Sequence, residues 1–259
     1  MTAGLARLAG ATADRAILLG VAMFCLQASI GTVNDLVDVS RDRDLKPGKP
    51  LPRGVVSIEA ARLVAAIGLL AGLGLSLAAG PVTLAVAGLG VAIGYAYDLR
   101  LKASPWSWLS FALGLPLLPV YAWLGATGGI PPAFLVLVPT AVAGGAALAL
   151  ANELADDERD RAAGIRTTVG LLGRVTGWRV GAVLQAVVAG VAAGSLVGAG
   201  APILAIGAAD GSIAVIMIGL ALGRSPLART RERGWEAQAI GLGVLALAWL
   251  GGLASRSLL

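Results

Sequence analysis

The sequence predicts an all-α integral membrane protein, a bundle of about eight transmembrane helices that reads as one domain over residues 1–259. Three observations predict it. The chain is 57% hydrophobic and only 14% charged, with a mean hydropathy of +0.84, where soluble domains hold about 45–50% apolar and about 25% charged residues. Its apolar runs approach the ~20 residues that cross a bilayer core. Glycine is abundant at 37 residues while aromatics make up 5%. That favours helices packed through small side chains over a β-barrel with aromatic girdles.

The segments follow in order. Residues 14–34 form the first and end in acids; residues 58–79 follow a charged loop; 81–97 is short for a span. Residues 106–126 open near Trp106 and Trp108, placed as interfacial anchors after Pro105. Residues 133–155 end in acids again. Segments 176–198, 202–223 and 235–254 complete the set. Within 202–223, Asp210-Gly211-Ser212 reads as a turn or N-cap signal that breaks the helix. The first apolar run leads straight into an acidic motif, so no cleavable signal peptide is expected.

Alternate loops are long and charged: 35–57, 98–105, 156–175 and 224–234. If the helices alternate, these loops share one face. Of 20 Lys and Arg, all but Arg7, Arg15 and Arg256 lie in or close to them. The positive-inside rule makes that face cytoplasmic in a multi-pass cell-membrane protein. Arg224, Arg229, Arg231 and Arg233 are assigned to this topology alone. The net charge of +5 is therefore topological, and dispersed basic residues mixed with acids exclude nucleic acid as a partner. The chain has no His, and its one cysteine, Cys25, lies in an apolar segment. A disulfide framework, a cysteine or histidine zinc site and a histidine base are all excluded. Carboxylates, Lys, Arg and Tyr must carry any chemistry.

Two stretches are near-copies. Asn34-Asp35-Leu36-Val37-Asp38-Val39-Ser40-Arg41-Asp42-Arg43 recurs as Asn152-Glu153-Leu154-Ala155-Asp156-Asp157-Glu158-Arg159-Asp160-Arg161. In each, Asn, Asp and Asp stand at i, i+4 and i+8, one stripe on a helix. Asp35 and Glu153 lie at its edge. A lone pair of acids at a helix end is ordinarily a solvated terminus, and Arg41, Arg43, Arg159 and Arg161 can neutralise acids locally. Duplication of the whole pattern is hard to explain as solvation. Stacked carboxylates suit Mg2+, which bridges a few carboxylates to substrate phosphates. Two such faces opposed across a cavity could hold two or three Mg2+ ions and clamp a diphosphate. Basic residues nearby fit phosphate binding: Lys46 and Lys49 after the first motif, Arg166 after the second, and Tyr97 to Lys102 closing the third segment. Gln27 lies on the face of Asn34, where it either lines a cavity or bonds a neighbouring helix.

These residues resemble a known family. Asn34-Asp35-x-x-Asp38-x-x-x-Asp42 followed by Lys46-Pro47-x-Lys49-Pro50-Leu51 is similar to the first signature of the UbiA superfamily of membrane prenyltransferases. Asp156-x-x-x-Asp160, continued as Arg161-Ala162-Ala163-Gly164-Ile165-Arg166-Thr167, is similar to the second. Tyr97 to Lys102 resembles its Tyr-x(4)-Lys loop. The resemblance implies a helical bundle around a central cavity, with the active site toward the cytoplasmic face. It implies Mg2+-dependent transfer of a prenyl group from a polyprenyl diphosphate to an aromatic or lipid acceptor within the membrane. Asp35, Asp38, Asp42, Asp156 and Asp160 would be the catalytic metal ligands. Asn34, Asn152, Lys46, Tyr97, Lys102 and Arg166 would bind substrate. Three features depart from the pattern. The family usually has nine helices, and here about 13 residues precede the first motif helix. Lys46 and Lys49 stand where Arg is often found, giving charge without the bidentate fork. Asp98 follows Tyr97 where a small polar residue is common. A membrane terpene cyclase of the same superfamily, or a divalent-cation transporter with two acidic half-sites, are the alternative readings.

Overall fold

The computed structural model describes residues 1–45, 48–256 and 258–259. Among them there are helices and turns but no strand, and eight helices are long and apolar enough to cross a membrane. The protein is a multi-pass, all-α membrane protein, as the hydropathy predicts. In chain order the helices are α1 (Thr2–Leu8), α2 (Ala13–Leu45), α3 (Ile58–Ala79), α4 (Pro81–Ala96), α5 (Trp108–Thr127), α6 (Phe134–Ala162), α7 (Thr168–Leu172), α8 (Arg174–Gly198), α9 (Ile203–Leu222) and α10 (Ala228–Ala254).

The helices start and stop for local reasons. The Ser57 hydroxyl accepts from the Ala60 N–H at 3.1 Å and caps α3. Gly80, with φ at +137°, ends α3, and Pro81 opens α4, where its missing N–H costs nothing. The short third segment is lengthened by a π-helical turn at Tyr97–Leu101, so the continuous helix runs Pro81–Leu101.

Two departures from the sequence reading concern α2 and α6. Both run beyond their apolar segments and carry the acidic motifs as helix, so the charged loops are shorter than expected. A third concerns Asp210. No break exists there: α9 is continuous, Asp210 is exposed on it, and the Ser212 hydroxyl donates back to the Ala208 carbonyl at 2.6 Å, a bond of the helix interior. Trp106 is 59% exposed.

The chain divides into two compact units, Met1–Lys102 with Leu117–Ile130, and Ala103–Pro116 with Pro131–Leu259. In the first, Leu19, Ala22 and Leu26 of α2 pack with Ala87 and Val91 of α4 and Tyr121 of α5. Hydroxyls tie the helices: Ser29 donates to the Ala65 carbonyl at 2.6 Å, and Ser76 meets the Tyr121 hydroxyl at 2.9 Å. Arg15 donates to the carbonyls of Ala79 and Gly125 at the ends of α3 and α5. Arg256 likewise reaches Gly200, and Arg7 reaches Ala11. The three basic residues outside the charged loops are thus helix-end struts.

In the second unit α9 and α10 meet backbone to backbone. A Cβ on Gly219 would lie 2.7 Å from the Gly234 carbonyl oxygen, and one on Gly234 would lie 2.7 Å from that of Gly219. Only hydrogen fits at either position, which is the close approach the glycine content predicts. Trp178 donates to the Leu220 carbonyl at 2.8 Å, and Trp249 to the Ser195 hydroxyl at 2.6 Å.

Candidate active site

The first motif occupies the last three turns of α2. Asp38 and Asp42 are buried at 7% and 3% exposure, while Asn34 and Asp35 are half-buried. Helical spacing sets Asp35, Asp38 and Asp42 along one side, and two lysines from elsewhere in the chain reach them. The Lys49 ammonium lies 2.7 Å from Asp35 Oδ1 and 2.7 Å from Asp42 Oδ2. The contact with Asp35 is a hydrogen bond; that with Asp42 is an ion pair without hydrogen-bond alignment. Burial lowers the pKa of Lys49, but its short contacts with Asp35 and Asp42 and its charge attraction to both outweigh that, leaving it above the usual lysine value. Lys102 donates to Asp38, which also pairs with Arg41 at 3.2 Å.

The π-helical turn brings Tyr97 to Lys102 onto this site. The Lys102 ammonium stands 6.0 Å from the centre of the Tyr97 ring. Asp98 is buried, accepts from the Asn34 amide at 2.6 Å, and keeps its Oδ2 buried without a hydrogen-bond partner. The sequence marked Asp98 only as a departure from pattern; its bond to the first residue of the motif was not legible. Lys46 lies outside the described residues.

The second motif forms the end of α6, and here the helix has two faces. Asn152, Asp156 and Asp160 form the half-buried stripe, with Asp156 paired to Arg159. Glu153 and Asp157 form the buried face. Glu153 accepts from the Ser107 hydroxyl and from the Val169 N–H at 2.8 Å. Asp157 pairs with Arg161 at 2.9 Å and lies 3.8 Å from Arg174. Asp35 and Glu153 hold the same motif position, yet Asp35 meets a lysine and Glu153 anchors α7. Arg166 is exposed in the turn before α7, where the Thr167 hydroxyl accepts from the Gly170 N–H at 3.0 Å.

One basic residue assigned to topology is structural. Arg231 has no exposed side-chain surface. It donates to the carbonyls of Leu154 at 2.6 Å, Ser225 at 3.0 Å and Pro226 at 2.9 Å, and to Glu158. Arg224 lies over Trp178, 5.0 Å from the ring centre, and Arg229 and Arg233 are exposed. Gln27 is exposed and donates to Met23 Sδ, 3.7 Å away on its own helix.

The donors fit a hard divalent cation in kind: carboxylate oxygens, two of them (Asp42 Oδ2 and Asp98 Oδ2) buried without hydrogen bonds. Among the described residues no three acids converge as a metal site; the first cluster is held by ammonium groups instead.

The comparisons agree on the fold. A UbiA homologue from Aeropyrum pernix K1, solved in its apo form, matches with a TM-score of 0.77 at 19% identity, over 95% of this chain and 93% of that one. A UbiA homologue from Archaeoglobus fulgidus, bound to GPP and Mg2+, matches with a TM-score of 0.67 at 19% identity, over 95% and 94%. In sequence, a digeranylgeranylglyceryl phosphate synthase of Methanoculleus marisnigri is 31% identical over 96 residues, which span 37% of this chain and 34% of that relative. The model of the UbiA prenyltransferase family matches residues 1–235, and this chain belongs to that family.

Proposed function

We propose that the protein is a Mg2+-dependent intramembrane prenyltransferase that moves a prenyl group from a polyprenyl diphosphate to a hydrophobic acceptor. The observation that carries this reading is the first cluster: three motif carboxylates on one helix side, met by two lysine ammonium groups from other segments. Carboxylates and mobile cations side by side are what a metal-bound diphosphate requires. The homologue holding GPP and Mg2+ supports the donor and the metal. The relative named as a digeranylgeranylglyceryl phosphate synthase, matched over 34% of its length, supports a lipid acceptor.

Asp35, Asp38 and Asp42 of α2, and Asp156 and Asp160 of α6, are the residues that would hold Mg2+. When bound it supplies positive charge at the departing diphosphate. Asn34, fixed by Asp98, and Asn152 orient ligand oxygens through their amides. Lys102, steadied over Tyr97, and Lys49 hold phosphate oxygens, and Arg166 adds an exposed guanidinium. In the reaction the allylic C1–O bond breaks and its electron pair leaves with the diphosphate. The acceptor then bonds to C1 and gives up its proton to the released diphosphate or to water. The charged loops face the cytoplasm in this proposal.

The test is diphosphate release by the purified protein with geranyl, farnesyl and geranylgeranyl diphosphates, with and without lipid and aromatic acceptors, products being identified by mass. Release that needs both Mg2+ and one acceptor supports transfer. Release without acceptor, giving a cyclised hydrocarbon, makes the protein a cyclase. No release with any donor refutes the reading.

A further inference from the structure

We propose that Lys49 and Lys102 are exchangeable counter-ions of the first carboxylate cluster, holding it closed to metal until a diphosphate draws their ammonium groups away. The inference rests on the prenyltransferase reading and adds the order in which its ligands bind: Mg2+ and the prenyl diphosphate enter as a pair.

Lys49 Nζ sits 2.7 Å from an oxygen of Asp35 and 2.7 Å from one of Asp42. A divalent cation shared by those two carboxylates would take the same place, and two like charges cannot occupy it together. Asp38 is engaged in the same way, by Lys102 and by Arg41. No three acids converge among the described residues, as expected where ammonium groups lie between them.

The carboxylates of Asp35, Asp38 and Asp42 are each met by a cation, Lys49, Lys102 or Arg41, and the neighbouring buried Asp98 already bonds the Asn34 amide. Metal alone would add positive charge where cations are already in place. A diphosphate arriving with the metal brings negative charge and new acceptors for both ammonium groups, so neither of these half-buried cations is left without a partner. Each ammonium ends a flexible four-carbon stem, which lets it move from carboxylate to phosphate without backbone change. Linkage then requires metal and diphosphate to raise each other's affinity by one common factor.

The experiment titrates the full-length protein in detergent with Mn2+, a paramagnetic stand-in for Mg2+, followed by EPR. It is done with and without geranyl thiodiphosphate as an unreactive donor. Wild type should bind Mn2+ weakly alone and tightly with the donor. Lys49→Met should bind Mn2+ alone about tenfold more tightly than wild type, and the gain from the donor should shrink by the same factor. Lys102→Met should move in the same direction. A lysine that only binds phosphate predicts no change in metal affinity without donor. Unchanged or weaker Mn2+ binding in both variants, with normal melting curves, would overturn the counter-ion proposal and leave the prenyltransferase reading standing. Should Lys49→Met not fold, Lys49→Gln and Lys102→Met carry the test. A wild type that takes up no Mn2+ even with donor refutes both.

Discussion

Glu153 is the sharpest place to separate structure from chemistry. It occupies the motif position of Asp35, so sequence pattern alone makes it a candidate ligand. In the structure it is 5% exposed and accepts from the Ser107 hydroxyl and the Val169 N–H. Glu153→Ala leaves both donors unpaired, and Val169 is itself fully buried. A buried donor left without its partner costs about 1–3 kcal/mol. Two give roughly 2–6 kcal/mol, and removing a desolvated carboxylate returns part of that. The expected loss is about 2–4 kcal/mol. Equilibrium unfolding in mixed detergent and SDS, followed by tryptophan fluorescence, measures it. Any activity loss should track the unfolded fraction. A stability change below about 1 kcal/mol, accompanied by lost turnover, would refute the anchoring role and put Glu153 among the reacting groups.

Other outcomes follow from the same geometry. Asp38→Ala and Asp156→Ala should lower Mg2+-dependent turnover on the order of a hundredfold or more while the protein stays folded, read as diphosphate release beside circular dichroism. Arg231→Met should lose about 2–4 kcal/mol in the unfolding assay, because three carbonyls lose a buried donor while half-exposed Glu158 regains water. Gly234→Val should cost at least about 1–3 kcal/mol, since its Cβ meets the Gly219 oxygen at 2.7 Å and the Gly223 nitrogen at 2.9 Å. Because Lys49 has its pKa raised in the folded state, its ion pairs are at full strength below the unfolded value of 10.5 and fade as pH climbs through the higher folded one. The stability gap between wild type and Lys49→Met should therefore be constant from neutral pH up to 10.5 and narrow above it.

Hydropathy located every span because the signal is summed over about twenty residues and survives local noise. It ended α2 and α6 too early, since charge reads as loop. The acids and arginines there pair one helical turn apart, as in Asp38 with Arg41 and Asp157 with Arg161, and so extend the helix instead. The carboxylate stripes were legible from their period. Their partners were not: Lys49 sits seven residues beyond Asp42 in a loop with no periodicity, and Ser107 is 46 residues from Glu153. In sequence Arg231 is one of four similar arginines, and only tertiary packing sets it apart. Asp210-Gly211-Ser212 carried a turn signal that the surrounding apolar helix overrode.

The length of α2 ties the carboxylates to the lipid. Its 33 residues make a rod of about 50 Å, against a hydrocarbon core of about 30 Å. Asp42 stands about 12 Å past Asn34 along the axis, so a 10° change in tilt moves it sideways by about 2 Å relative to Asn34. Helices tilt to match the thickness of the bilayer around them, whereas a ligand constellation tolerates shifts of about 0.5 Å. Bilayer thickness therefore reaches the acidic cluster as a lever reaches its load, and reconstitution into lipids of graded chain length should tune activity without any contact between lipid and carboxylate.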